Sequence, residues 1–345
     1  MEIEKTSVIK KGIPLILLGL FIFILYVHFF VGFEDILNTF LLTDPIYYSL
    51  ALVMFFFSMI FYSLAWANLL NILSIKTNFR EVFIFNWVGT FVDLLIPAES
   101  LSGEITKTYL MSKGSKRKIG KVVASVISHR ILKTAIGLAG MIVATLFFFF
   151  KYDIPATVLW FIFIIALGAS SSLFLMVYLS FKENITKRLV NWLVKLLKRI
   201  FKKQSKKAPL ISTAKMMLKE FHKGVYVLGR HPKKLILPVI FSIMTWLSNV
   251  LISFFVFSSL NVSVHFSAII IVFSVTMAIE IIPLLIPGEI GIVEIVMTSL
   301  YAVLLPGITP AIAATATILI RALTLWTKLF ISGIAVQYVG IKMIK

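Results

Sequence analysis

Two stretches of the sequence place carboxylates a few residues after a proline, inside runs that are otherwise apolar. They read LLIPAESLSGE at residues 94–104 and LLIPGEIGIVE at residues 284–294. The shared pattern comprises Pro97, Glu99 and Glu104 in the first stretch and Pro287, Glu289 and Glu294 in the second. Carboxylates in apolar surroundings can balance buried arginines, meet a cationic head group or carry protons, and these glutamates are candidates for all three roles.

An arginine follows each stretch within the next apolar segment. Arg130 and Arg321 occupy corresponding positions, one residue out of register. A guanidinium suits a phosphate because its N–H donors form paired hydrogen bonds with two oxygens. An ionisable side chain at the bilayer centre costs ~2.5–3.5 kcal/mol, so such groups normally face water or one another. The sequence therefore predicts one polar cavity shared by both stretches or, for Glu104 and Glu294, structural ion pairs with the arginines.

Further ionisable residues and three glycines belong to the same segments. The ionisable residues are Asp93, Lys133, Glu280 and Lys328, and the glycines are Gly103, Gly288 and Gly291. Asp93 and Glu280 do not align with each other, and long lysine side chains can reach toward the membrane surface. The glycines allow tight turns or close packing where the prolines break the helix, and the backbone groups freed there need a wet or protein-lined place.

The composition indicates which elements hold these residues. The chain has 345 residues, of which 59% are hydrophobic and 14% charged, and its mean hydropathy is +1.00. A soluble domain of this size could not cover so much apolar surface. The apolar runs are continuous rather than alternating, which favours membrane-spanning helices over a barrel. We therefore predict an all-α polytopic membrane protein.

The net charge of +19 has a simple explanation in such a protein. The lysines and arginines lie between the apolar runs, as in cytoplasmic loops that obey the positive-inside rule, so nucleic acid is not an expected partner. The chain has no cysteine, and its five histidines show no ligand spacing, so neither a metal site nor a cofactor is expected. The expected partners are membrane lipids, anionic or phosphate-bearing, and an oligomer is compatible with the sequence.

Apolar runs and flanking charges predict about six full spans, with both termini in the cytoplasm. The predicted spans are 13–31, 46–73, 119–150, 155–181, 235–260 and 308–338. The first follows three lysines and lacks a cleavage site, so we expect it to be retained. No eukaryotic targeting signal is evident, which favours the plasma membrane of a prokaryote.

Two further apolar segments contradict a simple crossing topology. Residues 81–112 begin and end beside basic, inside-type charges, and residues 266–305 must begin and end outside if the C-terminus is inside. Both conflicts disappear if each segment is a re-entrant hairpin. The chain then contains two units of span, hairpin and span, 46–150 and 233–340, in opposite orientations. Inverted repeats with broken helices are typical of secondary transporters.

The segment between the units, 182–232, is predicted to be a basic cytoplasmic loop. Residues 182–234 carry sixteen of the 34 lysines and arginines and only two acids. Within this loop, residues 184–203 place apolar side chains at helical spacing among the basic ones. This pattern predicts an amphipathic helix on the inner leaflet.

The two units resemble the membrane region of the lysylphosphatidylglycerol synthase/flippase family, which includes the multiple peptide resistance factor and its stand-alone relatives. The first unit is similar in IPAESLSGEITKTYL and VVASVISHRILK, and the second in LLIPGEIGIVEIVMTSLYAVLLPGITPAIAATATILIRALTLW. The resemblance covers nearly the whole chain. It implies a lipid-translocating membrane unit. The family's aminoacyl transferase activity belongs to a soluble C-terminal domain, which we do not expect in these 345 residues.

The resemblance also implies site residues by position. Gly103, Glu104 and Lys107 fall on a GE-x2-R phrase, with lysine in place of arginine, and Arg130 falls on the arginine of an ERL phrase, where His129 replaces the acid. In the second unit the matching residues are Pro287, Gly288, Gly291 and Glu294, with Glu289 in place of a glycine. These departures change the charge of the predicted cavity relative to the family, whose best-known cargo is a cationic aminoacyl lipid.

Three functions are compatible with these patterns. The first is a flippase that moves a phosphate-containing lipid, such as a phospholipid or a polyprenyl phosphate, through the cavity. The second is a membrane enzyme, for example a lipid-phosphate phosphatase or transferase, for which Ser100 and Ser102 near Glu99 are candidates. No histidine is placed beside these serines, so a non-enzymatic role is preferred. The third is a non-catalytic anchor for a glycosyltransferase.

Overall fold

The structure is a computed structural model in which the described chain is helical. It describes residues 33–96, 101–113, 119–152, 154–200, 208–280, 286–305 and 307–344, and also residues 21, 24, 25 and 28. Strands do not occur in these ranges. Most of the first predicted span, 13–31, lies outside the described residues, as do Pro97, Glu99 and Ser100.

Thirteen helices, α1 to α13, make up the described part of the chain. The first six are α1 Phe33–Leu41, α2 Pro45–Ile72, α3 Phe79–Leu95, α4 Leu101–Lys113, α5 Ile119–Lys151 and α6 Ala156–Phe181. The remainder are α7 Glu183–Ile200, α8 Ala208–Arg230, α9 Pro232–Ser259, α10 Phe266–Ile279, α11 Ile292–Leu304, α12 Pro310–Arg321 and α13 Lys328–Ile344. A short 3-10 turn, Pro287–Glu289, precedes α11, and a π-helical turn, Ala322–Thr327, joins α12 to α13.

Six helical segments of the described chain are long and apolar enough to cross a membrane, which confirms the predicted class. Five of them coincide with predicted spans: Pro45–Ile72, Ile119–Lys151, Ala156–Phe181, Pro232–Ser259 and Pro310–Gly340. The sixth, Pro287–Leu304, lies within the second predicted hairpin. Its first residues form the 3-10 turn, so α11 itself has only 13 residues.

The two predicted units begin with helices of the same length and the same end signals. Both α2 and α9 have 28 residues and a proline in the first turn. After them the chain turns through Ser74 and Asn261, whose φ angles are 57° and 56°. A backbone N–H of Ile75 and one of Val262 then reach back to the last helical turn, at 3.0 and 3.1 Å. This left-handed termination is the same in both units.

Each unit continues with two short helices joined by a broken stretch. In the first unit α3 has 17 residues and α4 has 13, and in the second α10 has 14 and α11 has 13. At ~1.5 Å per residue, each is shorter than the ~30 Å hydrocarbon core. The helices of each pair also pack against each other. The short helices are compatible with re-entrant hairpins, and both the hairpins and the inverted orientation of the units stay predictions.

Helices of each predicted unit pack against helices of the other. The helices α2 and α9 lie together along their length. The first arm of the first hairpin, α3, packs on α13, and the first arm of the second hairpin, α10, packs on α5. The first arm of each hairpin therefore packs against a helix of the opposite unit.

The basic segment between the units contains more structure than the sequence predicted. The amphipathic helix is present as α7, which ends at Ile200. A second helix, α8, was not anticipated. Its residues Leu218, Phe221, Val225 and Leu228 are buried, and it packs along the N-terminal part of α5. A glycine contact makes this approach close, since a side chain at Gly120 would collide with α8.

The re-entrant topology predicts which sides of the membrane the hairpin ends reach. The sequence contains no cysteine, so single cysteines report their own positions. Asn78→Cys and Lys113→Cys, at the two ends of the first hairpin, should both react with an impermeant maleimide only from the cytoplasmic side. Ser263→Cys and Thr309→Cys should react only from the opposite side. Labelling of the two ends of one hairpin from different sides would show that this segment crosses the membrane.

Candidate functional site

A buried ion pair closes the turn of the second hairpin. Arg321 at the end of α12 donates from Nε to Glu294 Oε1 at 2.5 Å, and from a terminal nitrogen to the carbonyl oxygen of Gly288 at 2.6 Å. The other carboxylate oxygen of Glu294 accepts the backbone N–H of Gly291 at 2.6 Å. The two side chains are only 10% and 7% exposed. Both charged side chains of this cluster therefore already have hydrogen-bonding partners within the second unit.

The backbone of this turn explains why glycines occur here. Gly288 and Gly291 have φ angles of 62° and 91°, a region that side chains other than glycine rarely adopt. Glu289, the residue after Gly288, has a φ of 51°, so a non-glycine residue of this turn is also held in an unfavourable conformation. The π-helical turn Ala322–Thr327 starts directly after Arg321. Short π-helical turns are frequent at functional sites, but no pattern in the sequence predicted this one.

The turn of the first hairpin is held by Asp93, near the end of α3. Its Oδ1 atom accepts the backbone N–H of Gly103 at 2.6 Å and the hydroxyl of Ser102 at 2.8 Å. The carboxylate thus caps the N-terminus of α4, where the helix dipole favours a negative charge. A Cβ atom on Gly103 would collide with the Asp93 carboxylate and with the carbonyl of Gly89. The close approach at Gly89 was not recognised in the sequence.

The ion pair of the first unit is looser than its counterpart. Arg130 on α5 contacts Glu104 on α4 through one pair of atoms at 3.4 Å, with side chains 13% and 15% exposed. The same two residue types therefore pair in both units, as one of the two sequence alternatives anticipated. In the second unit the pair adds two backbone contacts, and the first pair forms no such contact with the described residues. Each pair joins the second arm of a hairpin to the helix that follows it, α5 or α12.

Lys107 lies in an aromatic environment one turn further along α4. It is buried, donates to the hydroxyl of Tyr62 at 3.2 Å, and lies 5.3 and 5.2 Å from the ring centres of Tyr62 and Trp66. His129, also buried, packs against Tyr62 with 4.4 Å between ring centres and the two rings tilted by 42°. Contacts with aromatic rings partly offset the cost of burying an ammonium group. The substitution of lysine at this position is therefore accommodated by neighbouring aromatic residues.

One polar contact between the two units joins a lysine and a glutamate. Lys133, midway along α5, approaches Glu280 at the end of α10 at 3.5 Å. This contact is partly accessible, since 43% of the lysine side chain and 38% of the glutamate side chain are exposed. Lys328 lies within electrostatic range of Glu280 and Glu289, but makes no hydrogen bond or ion pair in the described part of the chain.

Glu289 joins this central group from the turn of the second hairpin. It lies within electrostatic range of Glu280, Lys133 and Arg321, and also of Asp93 from the opposite unit. The helix α3 contacts the Pro287–Glu289 turn directly. Charged side chains within membrane segments normally face water or one another. We refer to Lys133, Glu280, Glu289 and Lys328 as the central charge group.

The structure places most of the predicted site residues around the two hairpin turns. Those that it brings into contact are Glu104 with Arg130, and Gly288, Gly291 and Glu294 with Arg321. Lys107 points to Tyr62, and Pro287 is buried in the second turn. Pro97 and Glu99 lie outside the described residues. Sequence reasoning gave Asp93 and Glu280 less weight because they do not align with each other, and Lys133 and Lys328 less weight because long lysine side chains can reach toward the membrane surface.

The groups that an enzyme in this family of folds could use are a metal site and the two serines of the first hairpin. No group of three histidines, aspartates or glutamates there could hold a metal ion. Ser102 donates its hydroxyl to Asp93 and to the carbonyl oxygen of Ile96, so it serves the cap of α4. Ser100 lies outside the described residues.

Long apolar helices with charged residues between them define a multi-pass membrane protein. The chain belongs to the family described as the lysylphosphatidylglycerol synthase TM region, whose model matches residues 16–332. This match confirms the resemblance inferred from the two glutamate stretches.

Relatives with the same extent occur in archaea. The chain is similar to a UPF0104 membrane protein of Pyrococcus horikoshii, with 26% identity over 334 residues that cover 94% of this chain and 96% of the relative. A UPF0104 membrane protein of Methanothermobacter thermautotrophicus is 25% identical over 334 residues, covering 96% of each chain. A third, of Methanocaldococcus jannaschii, is 23% identical over 324 residues, covering 92% and 91%. These sources agree with the predicted prokaryotic origin.

Proposed function

We propose that the protein is a lipid translocase that moves a phosphate-containing lipid between leaflets through a polar cavity between its two units. One observation carries this proposal: the half-exposed Lys133–Glu280 contact, which joins the two units midway along a membrane helix. Membership in a family named for lysylphosphatidylglycerol supports a lipid as the substrate. A phospholipid and a polyprenyl phosphate both fit, because each combines a phosphate with apolar tails.

The physical argument rests on where the charges are. A charged side chain facing hydrocarbon is expensive, so half-exposed charges at mid-membrane depth require water or a polar head group beside them. A lipid could pass its head group along the central charge group while its tails stay in the bilayer. The inverted arrangement of the two hairpins would supply one gate at each face of the membrane.

Reconstituted vesicles test the proposal. Wild-type protein should expose inner-leaflet fluorescent phospholipid to an impermeant reductant much faster than protein-free vesicles do, with or without an imposed proton gradient. Lys133→Glu places a like charge beside Glu280 and should slow this movement by roughly tenfold or more, since like charges at short range repel strongly in a low dielectric. The variant must elute from size-exclusion chromatography as the wild type does.

A lysine on the same helix provides the matched control. Lys151 ends α5, far from the central charge group, where its ammonium lies over the rings of Phe147 and Tyr152. Lys151→Glu should therefore keep the wild-type rate. Wild-type vesicles that are no faster than protein-free vesicles, for a phospholipid and for a polyprenyl phosphate, would refute the translocase and bring the enzyme and anchor functions forward.

A further inference from the structure

The arginines that the sequence offered as phosphate ligands are already occupied. Arg321 is bound to Glu294 and to the carbonyl of Gly288, and Arg130 is paired with Glu104. All four side chains are at most 15% exposed. A lipid phosphate would have to displace an internal carboxylate from each guanidinium. For Arg321 this exchange would also free the backbone groups that form the hairpin turn.

The two lysines of the central charge group, Lys133 and Lys328, differ from the arginines in exposure or in hydrogen-bonding partners. Among the described residues, Lys133 forms one ion pair, with Glu280 at 3.5 Å, and a large part of its side chain is accessible. Lys328 is partly exposed and has no hydrogen bond or ion pair with any described residue. Within the described part of the chain, both ammonium groups therefore have unused N–H donors. A phosphate anion could accept hydrogen bonds from these donors and would offset the cost of placing the two positive charges within membrane segments.

The positions of the lysines fit a site shared between the units. Lys133 comes from α5 of the first unit and Lys328 from the start of α13 in the second. Both lie in the middle part of long membrane spans, and both are within electrostatic range of Glu280. The Glu280 carboxylate contacts Lys133 directly, and Lys328 is close enough for its charge to act on the same carboxylate.

We propose that Lys133 and Lys328 form the phosphate-binding site for the lipid head group, and that the Glu280 carboxylate occupies this site when no lipid is bound. This site rests on the proposed translocase function, and specifies which residues contact the substrate. The phosphate competes with Glu280 for the two ammonium groups. The arginines hold the hairpins in place and do not bind the lipid.

Binding measurements test the site independently of transport. Purified protein is studied by native mass spectrometry with dioleoyl phosphatidic acid, and with dioleoylglycerol, which has the same tails but no phosphate. Wild-type protein should retain the phosphatidic acid selectively. Lys133→Gln and Lys328→Gln should each weaken this retention by roughly tenfold, the usual scale for loss of a charge-assisted hydrogen bond. Lys151→Gln on α5 is the matched control and should bind as the wild type does.

Glu280→Gln separates a binding role from a structural one. Removing the competing carboxylate should tighten phosphatidic acid binding, by roughly tenfold on the same scale, whereas a merely structural ion pair would give a loss. Unchanged binding in both lysine variants, or weaker binding in Glu280→Gln, would overturn the site. If excess inorganic phosphate displaces the lipid completely, the site binds a free phosphate anion rather than a lipid head group.

The binding and transport experiments fail separately. Selective, lysine-dependent binding without movement between leaflets would leave the site intact and refute the translocase. Movement between leaflets with lysine-independent binding would leave the translocase intact and refute the site.

Discussion

Arg321→Ala is expected to cause a large loss of stability in the purified protein. The arginine is buried and is the partner of both the Glu294 carboxylate and the Gly288 carbonyl. Its removal leaves a buried carboxylate without a counter-charge, which typically costs about 3–5 kcal/mol. The turn around Gly288 and Gly291 would lose its main anchor at the same time. Thermal unfolding in detergent, followed by intrinsic fluorescence, measures the effect.

The first unit supplies a matched comparison. Arg130 makes a single 3.4 Å contact with Glu104, and both side chains are somewhat more exposed than the second pair. Arg130→Ala should therefore lower the unfolding temperature clearly less than Arg321→Ala does. An equal or larger loss in Arg130→Ala would contradict the idea that the backbone contacts of Arg321 distinguish the two units.

Gly103→Ala is expected to disrupt the first hairpin. The added methyl group would run into the Asp93 carboxylate and the Gly89 carbonyl, so the two arms would have to separate. Overpacking of this kind costs about 1–3 kcal/mol. Displacement of Asp93 would also remove the cap of α4, worth about 1 kcal/mol. The same unfolding assay should show a marked decrease, accompanied by loss of lipid movement in vesicles.

Gly168 in α6 is the control for this substitution. A Cβ atom there meets nothing within 4 Å, because this part of the helix faces away from the rest of the protein. Alanine is also a better helix former than glycine. Gly168→Ala should thus unfold at or above the wild-type temperature. Comparable losses in the two alanine variants would mean that the hairpin arms are not in close contact at Gly103.

The fold could be predicted from the sequence because each of its signals was local. Long apolar runs gave the spans, and the proline within 81–112 marked the break between α3 and α4 to within a few residues. Loop charges suggested the hairpins. The helix α8 escaped notice because its buried residues, such as Phe221 and Val225, are dispersed among lysines. Only packing against α5 decides that this segment is ordered.

The candidate site was harder to predict because it depends on distances between units. The recurrence of glutamate and arginine indicated which residues belong together, and it anticipated their pairing. It could not indicate that Asp93 caps α4 or that Glu280 reaches Lys133, since these acids do not recur in the second copy. The most accessible charges are thus those that depart from the repeat. Symmetry in the sequence identified the structural pairs better than it identified the residues open to a ligand.

The packing of each hairpin against the opposite unit affects the order in which the protein can assemble during synthesis. The helix α3 is made well before α13, on which it packs, whereas α10 packs on α5, which is already in place. The first hairpin therefore lacks one of its packing partners until α13 has been made. Assembly of the two units cannot follow the order of synthesis strictly, because the first hairpin completes its packing only after the second unit is present.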